Sequence, residues 1–143
     1  MIDNKTAPYA ALLLRVALGA MFIAHGLMKV FIFTLPGTAQ FFASVGFPGW
    51  TAYPVTALEM AGGVLLVLGV YSRVVAALMV PVLIGAATVH LGNGWVFSAP
   101  NGGWEYPVFL VVIAVVVALL GDGVYALKTV AVSSARIGNP RLA

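Results

Sequence analysis

Five ionisable side chains stand within or at the ends of apolar segments: His25, Lys29, Glu59, His90 and Glu105. Imidazole and carboxyl groups can exchange protons with a ligand, and an ammonium group can donate hydrogen bonds to it. A charged side chain in an apolar environment is costly, so it usually faces a polar interior and has a function. These residues are therefore the candidates for a catalytic or ligand-binding site, provided that the fold brings them together.

The segments that carry these residues are apolar enough to cross a membrane. Of the 143 residues, 62% are hydrophobic and 8% are charged, whereas about a quarter of the residues are charged in soluble domains. Backbone groups in lipid must pair within a helix or a closed barrel, and the alternation typical of a membrane strand is absent. The sequence predicts a single all-α integral membrane domain over residues 1–143, a four-helix bundle with spans at about 9–30, 53–70, 74–91 and 106–120.

The basic residues predict how this bundle is oriented. Lys29 lies on one side of the predicted spans and Arg15 within the first span, while the other five lysines and arginines flank the spans on the opposite side. By the positive-inside rule, this asymmetry predicts an up-down-up-down bundle with the N- and C-termini in the cytoplasm. Because these flanks account for the net charge of +3, the expected partner is membrane lipid and not nucleic acid. The five flanking residues are Lys5, Arg73, Lys128, Arg136 and Arg141.

All five candidate residues fall in the predicted outer half of the membrane, which predicts one shared site. His25 and Lys29 are four residues apart, so they share a helix face. At about 1.5 Å per residue, His25 and Glu59 differ in depth by only a few ångströms, and we expect them to form the direct pair. His90 and Glu105, with Lys29, would then form the mouth of the site.

The connections on the outer side are predicted to lie at the membrane interface. The segment 31–52 is apolar but broken by prolines and glycines, so it is expected to hold only a short amphipathic helix at about 38–45. Tryptophan and tyrosine prefer this interface, and we expect an aromatic belt there. Its members are Trp50, Tyr53, Trp95, Trp104 and Tyr106.

Arg15 and the helix glycines have structural interpretations. Arg15 lies deeper in the first span, and we expect it to pair with Asp122 or to extend to the interface, in a structural role. Small residues allow membrane helices to approach closely, so the glycine faces of the first two spans are expected to be in contact. These faces carry Gly19 and Gly26 on the first span and Gly62, Gly63 and Gly69 on the second.

An ordered set of motifs runs across the chain. The motifs are Arg15-x-x-Leu18-Gly19, Phe22, His25-Gly26-x-x-Lys29, Gly46-x-Pro48, Glu59-x-x-Gly62-Gly63, Leu65, Gly69, Ser72-Arg73, His90 and Asn101-Gly102-Gly103-x-Glu105-Tyr106. This set resembles the DoxX family of small bacterial membrane proteins. The resemblance implies a four-helix protein of the bacterial inner membrane that takes part in oxidoreduction, either as an oxidoreductase or as a quinone-linked subunit. Some relatives look like the membrane subunit of thiosulfate:quinone oxidoreductase.

A quinone-linked function agrees with the residues of the predicted site. A quinone head group needs hydrogen-bond donors and proton carriers at interface depth, and Glu59 and His25 are the predicted catalytic residues. The cofactor-binding residues would be Lys29, His90, Glu105 and Trp104, the last by stacking on the quinone ring. The chain has no cysteine, which excludes iron–sulfur ligation and covalent haem c within it. The electrons would therefore come from a redox protein partner, and homo-oligomers are an alternative assembly.

Other functions are compatible with the same residues. The charged cluster could be a buried network that only fixes helix register in a structural subunit. A small-molecule transporter would also need an outward polar pocket, although no inverted repeat is visible. The two histidines and the glutamates are adequate metal ligands, but their spacing matches no metal motif, so no metal site is predicted. Haem b between His25 and His90 is disfavoured because their depths differ.

Overall fold

Helices account for the regular structure of residues 3–128, the part of the chain that the computed structural model describes. No β-strand occurs in this part, apart from one isolated bridge between Val70 and Lys128. A π turn follows α1, and short 3₁₀ turns precede α3 and follow α4. The five α-helices are α1 (Ala7–Leu27), α2 (Leu35–Ser44), α3 (Ala52–Leu68), α4 (Ser72–His90) and α5 (Glu105–Leu120).

Three of the helical segments are long and apolar enough to cross a membrane, as the sequence predicts. They are Ala7–Ile32, Gly49–Leu68 and Ser72–Asn93, each including the turn next to its α-helix. The fourth predicted span coincides with α5, an apolar helix of 16 residues, which at about 1.5 Å per residue is shorter than the ~30 Å hydrocarbon core. Two residues used in the orientation prediction, Arg136 and Arg141, lie outside the described residues.

Glycines allow α1 and α3 to pack with their backbones in contact at Gly19 and Gly63, as the sequence predicts. A Cβ atom added to Gly19 would lie 2.7 Å from the carbonyl oxygen of Gly63, a contact that real Cβ atoms do not make, so glycine is needed there. One added to Gly26 would lie 2.6 Å from the Sδ atom at the end of the flexible Met60 side chain. The end of α1 therefore lies beside the first half of α3. Gly62, which was expected to face α1 as well, packs instead against Met79 of α4.

The core between the helices consists of aliphatic, methionine and phenylalanine side chains. Leu18 and Phe22 of α1 pack with Leu66 of α3, Met79 of α4 and Val117 of α5 in one buried cluster. Many other large apolar side chains are exposed, which agrees with a lipid environment. The core thus joins all four longer helices and leaves the ends of the bundle to the polar residues.

Helix α2 is short, as predicted, and is attached to the π turn at the end of α1. Thr34 precedes α2, and its side-chain oxygen accepts a hydrogen bond from the backbone N–H of Gly37 at 3.3 Å. The buried Thr38 hydroxyl donates to the carbonyl oxygens of Thr34 and Lys29, at 2.9 and 3.3 Å. The turn Met28–Ile32 and α2 are therefore held together as one unit.

At the opposite end of the bundle, Arg15 holds three parts of the chain together. Its side chain is 0% exposed. The guanidinium donates to the carbonyl oxygens of Leu66 and Val67, in the last turn of α3, at 2.8 and 2.7 Å. It also donates to the carbonyl oxygens of Asp122 and Val124, after α5, at 2.7 and 3.1 Å. The structural role predicted for Arg15 is confirmed by these contacts.

The predicted partner Asp122 meets Arg15 through its backbone and not through its carboxylate. Its carboxylate oxygen instead accepts a hydrogen bond of 2.8 Å from the backbone N–H of Ser72, the first residue of α4. An anion at a helix N-terminus satisfies an unpaired N–H group and interacts favourably with the helix dipole. Asp122 therefore stabilises this end of the bundle through two contacts: its backbone carbonyl accepts from Arg15, and its carboxylate accepts from the first residue of α4.

Candidate functional site

An ion pair between Lys29 and Glu59 lies at the end of the bundle where α1 finishes and α3 begins. The Nζ atom of Lys29 is 2.5 Å from each carboxylate oxygen of Glu59. The two side chains are 18% and 8% exposed. Lys29 belongs to the π turn Met28–Ile32. Turns of this type are rare in proteins as a whole but are often found at functional sites. We call this contact the Lys29–Glu59 pair.

The expected pairing of His25 with Glu59 is wrong, since the carboxylate of Glu59 pairs with Lys29. The Nδ1 atom of His25 instead donates to the carbonyl oxygen of Met21, on its own helix, at 2.8 Å. The imidazole stacks on the ring of Tyr106, with ring centroids 6.1 Å apart and planes inclined by 23°. Because a carbonyl oxygen only accepts, Nδ1 carries the proton and Nε2 remains available to a ligand.

A cavity of about 520 Å³ extends from the Lys29–Glu59 pair into the space between the helices. Its walls are mainly apolar, with side chains from α1, α3, α4, α5 and the segment around α2. Aromatic rings from the α2 segment form much of one wall, namely Phe33, Phe41, Phe42 and Phe47. The ionisable or polar side chains that line it are His25, Lys29, Thr51, Glu59, His90 and Tyr106.

His90 lines the cavity and also holds the loop that follows α4. Its Nδ1 atom donates to the carbonyl oxygens of Asn101 and Gly102, both at 3.0 Å. The side-chain amide of Asn93 donates to the same two oxygens, at 3.1 and 3.0 Å. The loop is thereby closed back onto the end of α4, and His90 is fixed in the cavity wall.

Trp104 and Glu105 were predicted to belong to the site, but the structure places neither in the cavity wall. Trp104 packs edge-on against Trp95, with ring centroids 4.5 Å apart. The carboxylate of Glu105 accepts a hydrogen bond of 2.9 Å from the backbone N–H of Phe97. Both side chains therefore contact the loop before α5. The other four predicted residues line one cavity.

Tyr106 and the phenylalanines of the α2 segment are the lining residues that sequence reasoning missed. Tyr106 was assigned to the aromatic belt, and the phenylalanines to an interfacial segment without a site. A tyrosine directly after the predicted site residue Glu105 is a weak signal, since an interfacial tyrosine has the same sequence context. Within residues 3–128, no three His, Cys, Asp or Glu side chains come together as metal ligands.

Comparison with known proteins identifies the family of the chain. The model of the DoxX family matches residues 10–91. The chain belongs to the DoxX family. It is 38% identical over 138 residues to the Bacillus subtilis (strain 168) protein named "Putative oxidoreductase CatD". The aligned region covers 95% of this chain and 97% of the relative. No solved structure matches the chain. The family match and the apolar helices together show that the chain is a membrane protein.

The family match contains most of the cavity's polar groups. His25, Lys29, Glu59 and His90 all lie within residues 10–91, whereas Tyr106 lies beyond them. Several residues of the motifs that carry the resemblance to DoxX proteins therefore line the cavity, whereas others, such as Arg15 and Arg73, lie at the opposite end of the bundle.

Proposed function

We propose that this DoxX protein binds a quinone in the cavity and acts as a membrane subunit in quinone-linked oxidoreduction. The observation that carries the proposal is the composition of the cavity, which combines aromatic and aliphatic walls with a few ionisable side chains, among them the Lys29–Glu59 pair. A quinone has the same division, with an apolar ring and tail and two polar carbonyl oxygens. The name of the Bacillus subtilis relative, an oxidoreductase, supports the same class of reaction.

The side chains of the cavity suit the proton chemistry of a quinone. Conversion of a quinone to a quinol consumes two electrons and two protons. Lys29 can donate its third ammonium N–H to a carbonyl oxygen of the quinone, and the free Nε2 atom of His25 can accept a hydrogen bond from a hydroxyl of the quinol. Glu59, His25 and His90 can exchange protons with the ligand. The electrons come from a redox protein partner in this proposal, because the described side chains offer proton donors and acceptors but no electron carrier. This protein then supplies the quinone site of a larger enzyme.

The proposed setting is the bacterial inner membrane, crossed by four helices in up-down-up-down order. Lys5, Arg73 and Lys128 lie at the end of the bundle that holds Arg15, and the positive-inside rule orients that end, with both chain termini, to the cytoplasm. The cavity then lies in the outer half of the membrane, at a depth that a quinone head group reaches from the lipid.

The cavity offers a direct test through a glycine that lines it. Gly85 of α4 faces open space, and the nearest atom to an added Cβ would be Cζ of Phe47, at 3.9 Å. Gly85→Leu should therefore fill part of the cavity without a backbone clash. The matched control is Gly92→Leu, since nothing lies within 4 Å of an added Cβ there and Gly92 does not line the cavity.

The measurement is mass spectrometry of the organic extract from each protein, purified in mild detergent. We expect stoichiometric quinone with the wild type and with Gly92→Leu, and a strong loss with Gly85→Leu. Equal quinone in Gly85→Leu and the wild type would show that the quinone is bound elsewhere. The absence of quinone from the wild type, after incubation with it as well as before, would contradict the proposal.

A structural role is the second candidate, and the Lys29–Glu59 pair favours it. Both carboxylate oxygens are already bonded to Lys29, as expected for a pair that fixes α1 against α3. The combined variant Lys29→Met with Glu59→Gln removes both charges, so no unpaired charge remains. A quinone-binding role predicts that this variant folds but loses bound quinone. A structural role predicts that it folds and that its quinone content equals that of the wild type.

A further inference from the structure

His25 presents a hydrogen-bond acceptor to the cavity. Its Nδ1 atom donates to the carbonyl oxygen of Met21, so in the neutral imidazole the Nε2 atom has a lone pair and no proton. One face of the ring stacks on Tyr106, and the Nδ1 edge is turned towards the backbone of α1. The Nε2 edge is therefore the part of this ring that is left to the cavity it lines.

The Nε2 atom of His25 is also accessible to a ligand. Within residues 3–128 the side chain makes one hydrogen bond, which uses Nδ1. The side-chain atoms of this part of the chain that are buried without a partner are the hydroxyls of Ser72 and Tyr106. Because Nε2 of His25 is unpartnered and is not one of these buried atoms, it retains exposed surface.

His90 repeats this arrangement on α4. Its Nδ1 atom donates to the carbonyl oxygens of Asn101 and Gly102, so its Nε2 atom is the acceptor. This atom, too, has no partner among the described residues and does not belong to the buried unpartnered atoms. The two histidines of the cavity wall therefore offer acceptors, while their donors are already used.

Free donors are fewer among the side chains that line the cavity. The Thr51 hydroxyl donates to the carbonyl oxygen of Pro48 at 2.6 Å, and the Tyr106 hydroxyl is buried out of reach. The ammonium of Lys29 is bonded to both oxygens of Glu59, which leaves one of its three N–H groups. The carbonyl oxygens of a quinone only accept, so they compete for one free donor, whereas the hydroxyls of a quinol find acceptors.

We propose that the cavity binds the quinol more tightly than the quinone, with Nε2 of His25 as the acceptor that distinguishes the two forms; this rests on the function proposed above. Tighter binding of the reduced form raises the midpoint potential of the bound couple. The quinone in the cavity then takes electrons from the partner more readily than quinone in the surrounding lipid. His25 is thus a specificity-determining residue for the redox state of the ligand.

The test compares a benzoquinone that carries a ten-carbon tail with its quinol, on quinone-free protein in lipid nanodiscs at pH 8 without oxygen. The dissociation constants of both forms are measured for the wild type and for His25→Phe, which keeps an aromatic ring beside Tyr106 but removes the acceptor. Tyr53→Phe is the control, since Tyr53 is exposed on α3 and does not line the cavity. The midpoint potential of the couple is measured by redox titration with excess wild type and with empty nanodiscs.

We expect the wild type and Tyr53→Phe to bind the quinol about tenfold more tightly than the quinone, as for one hydrogen bond of ordinary strength. This preference corresponds to a rise in midpoint potential of about 30 mV over the couple in empty nanodiscs. His25→Phe should bind the quinol about tenfold more weakly than the wild type does, with the quinone affinity unchanged. His25→Gln should bind both forms alike, because an amide can donate to one and accept from the other.

A wild type that binds both forms equally, or the quinone more tightly, would overturn the inference and leave the quinone site standing. The same holds if the midpoint potential does not rise, and this measurement decides even if His25→Phe fails to fold. An equal loss of both affinities in His25→Phe would show that His25 only shapes the site, and a preference that persists in this variant would assign it to other residues; either result overturns the inference. A wild type that binds neither form would overturn the proposed function itself, and the inference with it.

Discussion

Removal of Lys29 should strongly destabilise the protein, because Glu59 would be left as a buried carboxylate without its partner. Breaking a buried ion pair by removing one partner costs about 3–5 kcal/mol. Lys29 retains 18% of its side-chain exposure and Glu59 8%, so the lower end, about 3 kcal/mol, applies to Lys29→Met. With about 3 °C of melting temperature per kcal/mol for a chain of this size, we expect a decrease of about 9 °C.

The measurement is thermal unfolding in mild detergent at pH 7, followed by tryptophan fluorescence. Lys5→Met is the control, because Lys5 is exposed and lies outside the pair, and it should not change the melting temperature. Lys29→Met combined with Glu59→Gln should recover most of the loss, since no unpaired charge remains. The reasoning is refuted if Lys29→Met melts within about 2 °C of the wild type, or if the combined variant is no more stable than Lys29→Met alone.

Three further predictions concern the packing of the bundle, and thermal unfolding in detergent checks each of them. Gly63→Ala should destabilise the protein by about 1–3 kcal/mol, because the added Cβ would lie 2.8 Å from a backbone oxygen of α1. Gly85→Ala is the control and should not destabilise it, because no atom lies nearer than 3.9 Å to the added Cβ. Equal melting temperatures of the two variants would contradict the close helix contact. Arg15→Lys should cost at least about 3 kcal/mol, because one ammonium cannot reach the four carbonyl oxygens that the guanidinium bonds; a wild-type melting temperature would show that only the charge matters. Asp122→Ala should lower the stability by about 1 kcal/mol, because the hydrogen bond to the Ser72 N–H is lost. Asp122→Asn should lower it less, because the asparagine side-chain oxygen can still accept that bond. An equal loss of stability in both variants would assign the effect to the charge of Asp122.

The positions of the helices followed from the sequence because apolar length is a strong signal. The predicted spans 9–30, 53–70 and 74–91 correspond to the segments Ala7–Ile32, Gly49–Leu68 and Ser72–Asn93. The π turn at the end of α1 was not predicted, since one of its carbonyls, that of Lys29, is bonded to Thr38 of α2 and such a contact between elements cannot be read from helix periodicity. Sequence patterns describe helix faces, but a change of helix type alters the face on which a residue lies.

The sequence predicted which residues belong to the candidate site better than it predicted how those residues contact one another. His25, Lys29, Glu59 and His90 line one cavity because ionisable groups on apolar helices turn away from lipid. The choice of Lys29 over His25 as the partner of Glu59 depends on side-chain reach and on the stacking of His25, neither of which is encoded in spacing. For the same reason Tyr106, which lines the cavity, could not be separated from the other aromatic residues predicted at the interface.

The function of the cavity can be tested most directly by photolabelling with a quinone that carries a photoreactive group. The protein in lipid nanodiscs is irradiated with this quinone, with and without an excess of unlabelled quinone, and the modified residues are mapped by mass spectrometry. The account predicts labels on cavity residues such as Phe42, Val82 and Tyr106 that disappear with the competitor. Labels that resist the competitor and lie only on exposed apolar residues, such as Leu13 and Leu78, would contradict it.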